Sequence, residues 1–70
     1  MKYVNEIAKI RVIFKNFMSC TINDKQADAI YNRYGSAEQY KRFLVGMLMN
    51  PKADRLEQRH LDWLVEIDEQ

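Results

Sequence analysis

Cysteine is almost missing from this chain: Cys20 stands alone and has no partner for an internal disulfide. Histidine is equally scarce, and His60 with the sequence-distant Cys20 cannot supply the four Cys/His ligands of a structural zinc site. No metal and no cofactor is therefore expected. An unpaired thiol fits a reducing compartment, and Asn5, Glu6, Lys9 and Arg11 interrupt the segment after Met1 where a secretory signal would be apolar. The expected location is the cytoplasm.

Long apolar runs are lacking too. None approaches the roughly 20 residues that a membrane-spanning helix needs, and Lys2, Lys9, Arg11 and Lys15 do not form the single basic row of a helix lying on a membrane. A Gly-rich phosphate loop, a nucleophile elbow and a paired metal-ligand motif are all missing, so the chain reads as non-enzymatic. Nor is there an excess of one charge. Eleven basic against ten acidic residues leave a net +1, too little for a surface devoted to phosphate.

At 70 residues the chain has room for one core, and residues 1–70 read as a single domain. A chain of this size buries only roughly 60% of its unfolded surface, so burial barely offsets chain entropy. With disulfides and metals excluded, the remedies are good helix packing or self-association.

What is present is helical periodicity. Tyr3, Ile7, Ile10, Phe14 and Phe17 recur at steps of three and four, which predicts a helix from Tyr3 to Met18. The β-branched run around Val12 and Ile13 could argue for a strand, but strict alternation fails there and the three-four spacing continues on both sides. Cys20 to Asn23 reads as a loop, with Thr21 or Asn23 able to cap the next helix. That second helix spans about 24–34, on Ala27, Ile30, Tyr31 and Tyr34, and Gly35 can adopt the left-handed conformation that ends it. Ser36 with Gln39 three positions on forms a capping-box pattern that opens a third helix at once. Its stripe is Tyr40, Phe43, Leu44, Met47 and Leu48, and Pro51 stops it near Asn50. A fourth helix follows from about Lys52 or Arg55, capped by Asn50 or Asp54, and buries Leu56, His60, Trp63, Leu64 and Ile67 up to Asp68. The fold class expected is all-α, a compact bundle of about four short helices with a helix-turn-helix at its centre.

Charge is unevenly spread. Residues 1–20 carry four basic side chains against Glu6, whereas residues 51–70 carry six acidic against three basic ones. Mutual neutralisation of two adjacent terminal helices is the plain reading, and a basic face for an acidic partner the sharper one. The four tyrosines and Trp63 fall on apolar stripes, which suits core or core edge, although aromatic residues also dominate interface hot spots. His60, inside its stripe, reads as a buried histidine bonded to a tyrosine hydroxyl or a carbonyl, with a pH-sensitive contact as the alternative. Cys20 reads as a small buried residue at a helix end rather than as a nucleophile paired with His60.

The anomaly is a set of apolar residues off the stripes: Val12, the pair Val45 and Met49, and the pair Leu61 and Val65. Either the third helix is central and covered on several sides, or these residues form an exposed patch that takes another protein or a second copy of the chain. The leading expectation is accordingly a small protein-binding module, an adaptor, inhibitor or regulator of the kind found among small bacterial, phage and mobile-element proteins. The alternative is a helix-turn-helix DNA-binding regulator reading the major groove with Gln39, Lys41 and Arg42. Against it, Tyr31 occupies the place where such motifs usually need a small residue, and Ser36 follows the turn glycine where an apolar one is usual.

Overall fold

The caps set the boundaries. In the Asn23–Gln26 pair the Asn23 side chain accepts from the Gln26 backbone N–H at 2.8 Å, and the Gln26 side chain accepts from the Asn23 N–H at 2.9 Å. Asn23, rather than Thr21, therefore starts the second helix. A computed structural model describes residues 2–70, with Lys2 described by its backbone only, so the Lys2 charge counted above lies outside the described side chains. The elements are α1 (Lys2–Met18), α2 (Asp24–Tyr34), α3 (Ala37–Leu48) and α4 (Ala53–Glu69). No strand occurs among the described residues.

Gly35, at φ 93°, ends α2 with its N–H on the Tyr31 carbonyl, and Ser36 Oγ accepts from the Gln39 N–H to start α3. The α3–α4 turn uses Asn50 twice: its side chain accepts from the Lys52 N–H, and its carbonyl accepts from Ala53 N–H. Asp54 lies inside the first turn of α4 instead of capping it. Ser19 closes α1 at φ 61°, a left-handed position usually given to glycine.

The buried core draws on every helix: Ile10 and Phe14 from α1, Ala27 and Ile30 from α2, Ala37, Tyr40, Leu44 and Met47 from α3, and His60 and Leu64 from α4. Ile22 joins them from the loop, where no periodicity marks it. The Cα radius of gyration, 11.5 Å, is close to the roughly 11 Å of a compact chain of this length.

Two expectations are corrected. The terminal helices do not lie side by side, since among the described residues no Cα of α1 comes within 8 Å of one in α4. Helices α2 and α3 separate them, and Phe14 reaches His60 only through side chains, at 6.5 Å between ring centroids. Charge is neutralised through α2 instead. Arg11 pairs with Asp24 at 2.8 Å, while Asn23 and Lys25 donate to Asp68 and to the Gln70 carbonyl at the far end of α4. Cys20 is exposed, not buried, because the left-handed turn at Ser19 points the chain outward before Ile22 re-enters the core.

Candidate binding hollow

The residues singled out from the sequence lie on α1, α3 and α4. Val12 lies on α1 opposite Ile10 and Phe14; Val45 and Met49 lie at α3 opposite Tyr40, Leu44 and Met47; Val65 lies on the outer side of α4. All four are exposed, and Met49 most of all at 79%. Leu61 differs, being half-buried and packed against the core. Of the three polar residues at the start of α3, Lys41 turns toward α1 and Arg42 toward α4, lining hollows on opposite flanks of the helix, with Gln39 exposed. They do not form one reading face.

What the fold does bring together is a hollow of about 510 Å³ where the end of α2 meets α3 and α4. That volume suits a small ligand or a side chain of a partner. Its floor is aromatic and apolar: Tyr34, Phe43, Trp63, Leu56 and Met47, with His60 at the base. The rings interlock. Tyr34 and Phe43 lie 4.7 Å apart, Phe43 and His60 5.1 Å in an edge-to-face arrangement, and His60 and Trp63 5.8 Å in a stack.

Three arginines from three helices form the rim: Arg33, Arg42 and Arg59. The Arg33 guanidinium lies 4.7 Å above the Trp63 ring and 5.7 Å from that of Tyr34, and this cation–π contact holds it at the mouth. Among the described residues neither Arg33 nor Arg59 has a carboxylate within 4.0 Å, and Arg42 reaches only the exposed Glu38 at 3.9 Å. No acidic side chain lines the hollow. A second, wider hollow between α1 and α3, of about 700 Å³, has Glu6 and Glu38 facing Lys9 and Lys41, so its charges offset; the buried Glu6 Oε2 there accepts no hydrogen bond.

His60 anchors the floor. Its Nε2 is 2.8 Å from the Tyr40 hydroxyl, a buried bond joining α4 to α3. Burial pushes the imidazole down to about 4, and the nearby Arg33 charge adds to this. Burial also raises the Tyr40 phenol, with Tyr34 and Cys20 adding, and raises that of Tyr34 against the opposing Arg33. Both bonded groups are therefore neutral at pH 7. This bond occupies one of the two imidazole nitrogens.

Gly46 opens the hollow. It lies in the last turn of α3, one turn from Arg42, and a Cβ there would meet no heavy atom within 4 Å. The fold's packing does not require glycine at this place, yet glycine costs a helix about 0.5–1 kcal/mol relative to alanine.

Among the described residues no group of three or more His, Cys, Asp or Glu side chains could hold a metal ion, and no helix is long and apolar enough to cross a membrane. In comparison with known proteins, no family model, no curated protein and no solved structure matches the chain. Sequence reasoning overlooked Arg33, Arg59 and the hollow. The available signals were the one-turn spacings Arg59–Trp63 and Arg42–Gly46, which place a cation beside a flat surface on each of two adjoining helices.

Proposed function

We propose that this chain is a small non-enzymatic protein-binding module, acting as an adaptor or regulator by contact with a larger partner, and that its contact surface is the α2/α3/α4 hollow. One observation carries the reading: three arginines, of which only Arg42 has an ion-pair partner, Glu38 at 3.9 Å, line an aromatic hollow that has no acidic side chain of its own. Arginine and aromatic residues supply most of the affinity at protein interfaces, chiefly where a pocket admits an anchor.

A DNA-reading role has less support. Lys41 and Arg42 face opposite flanks of α3, and Asp54, Asp62 and Glu66 share the face beside the hollow with Arg33, Arg55 and Arg59. A continuous phosphate backbone leaving the hollow in that direction would meet those acids.

Trp63 is the only tryptophan and lines both this hollow and the neighbouring one with Asp54, Asp62 and Glu66, so its fluorescence reports on binding at this face. Titration with synthetic tryptophan-free peptides, acidic, neutral and basic around the same leucine, tests the reading. A saturable Trp63 response that Arg42→Glu with Arg59→Glu abolishes supports it. No saturable response to any peptide, or a response only to duplex DNA, contradicts it.

A further inference from the structure

We infer that the hollow takes an acidic segment of a partner protein, with one apolar side chain seated against the α3 backbone at Gly46 and flanking carboxylates on Arg33, Arg42 and Arg59. This rests on the binding reading above and adds the identity and placement of the occupant.

Charge selects the occupant. The rim offers three separate guanidinium forks with no acid of their own in the hollow, which suits two or three carboxylates held at spaced positions. A long polyanion fits worse, since Asp54, Asp62 and Glu66 border the rim. Asn50 is the one amide side chain in the lining. The floor offers apolar surface for an aliphatic or aromatic anchor.

Gly46 fixes where that anchor sits. Glycine disfavours the helix and relieves no clash within the chain, as the space above its Cα is open. Gly46 is itself one of the residues that line the hollow. A methyl group placed there would occupy the floor between Arg42 and Asn50, where an incoming side chain could otherwise touch backbone. The glycine therefore serves the occupant at the expense of the fold.

The Gly46→Ala variant separates the two roles because stability and affinity should move in opposite directions. The probe is a peptide with two aspartates and two glutamates around one leucine, followed by Trp63 fluorescence, with melting followed by circular dichroism. Gly46→Ala is expected to melt higher, by on the order of 2–6 °C, and to bind the probe on the order of tenfold more weakly. Replacing the probe's leucine by alanine should weaken binding to the wild-type chain far more than binding to Gly46→Ala. Unchanged or tighter binding by Gly46→Ala overturns the assignment while leaving the binding reading intact, and so does a lower melting temperature, which would give the glycine a role in the fold. A wild-type chain that answers to single-stranded oligonucleotides and not to the acidic peptide overturns the occupant. A wild-type chain that answers to no peptide defeats the binding reading itself.

Discussion

The Tyr40 hydroxyl and the His60 Nε2, 2.8 Å apart in the core, form the polar link beneath an aromatic floor that three arginines surround. The link fixes α4 against α3 at the level where Phe43 and Trp63 contact the same imidazole. The bond therefore supports both the packing of α4 on α3 and the floor of the hollow.

The burial of His60 makes the fold sensitive to acid. His60 is 5% exposed and its folded value is held down to about 4, below the 6.5 of an unfolded histidine, so the unfolded chain takes up the extra proton. Its contribution is complete above about pH 6.5 and drains as the pH falls toward 4, a loss of about 3 kcal/mol. Urea midpoints measured across pH 4 to 8 should fall through this window. His60→Gln, which does not titrate, should flatten the fall; an unchanged profile would assign it to the carboxylates.

Removing both partners of the link should cost less than the sum of removing each alone. Tyr40→Phe leaves a buried imidazole nitrogen unsatisfied and should destabilise by about 1–3 kcal/mol. Adding His60→Phe to it removes the orphaned group, so the double variant should lose less than the two single losses combined. Chemical denaturation of the four chains in a double-mutant cycle measures the difference. Strict additivity would deny the bond any coupling.

Two left-handed positions should respond oppositely. Ser19, at φ 61°, carries a Cβ where glycine is favoured, so Ser19→Gly should stabilise by about 0.5–1 kcal/mol. Gly35, at φ 93°, already has the suitable residue, and Gly35→Ala should destabilise by about 1 kcal/mol or more. Thermal melts of both variants give the signs directly.

The off-stripe residues should divide by burial. Leu61→Glu places a charge against the core and should cost about 1–3 kcal/mol, whereas Met49→Glu and Val65→Glu should stay within about 0.5 kcal/mol of the parent. Equal losses at all three would mean that Met49 and Val65 are covered in solution.

The helices could be read from the sequence because their signals are local. Asn23 with Gln26, Ser36 with Gln39, and Gly35 each act within one turn, and the stripes through Ile10 and Phe14, Tyr40 and Leu44, and His60 and Leu64 give the inward faces. Ile22 escaped because a loop residue has no period, and Ser19 because serine rarely takes the left-handed turn. The relation of α1 to α4 depends on crossing angles that no stripe encodes. The hollow was hidden for the same reason: Arg33, Arg42 and Arg59 belong to three helices, and only the packing of α2, α3 and α4 brings them to one rim. Val12, Val45, Met49 and Val65 were conspicuous in sequence because they break a pattern, whereas the arginines obey theirs.

The most direct test is a backbone amide chemical-shift map of the isotope-labelled chain, titrated with the acidic leucine peptide. Saturable shifts confined to Arg33, Phe43, Gly46, Arg59 and the Trp63 indole N–H are the predicted result. Shifts centred on Val12, Val45 or Val65, or no shifts at all, would contradict the claim that the arginine-rimmed hollow is the working surface.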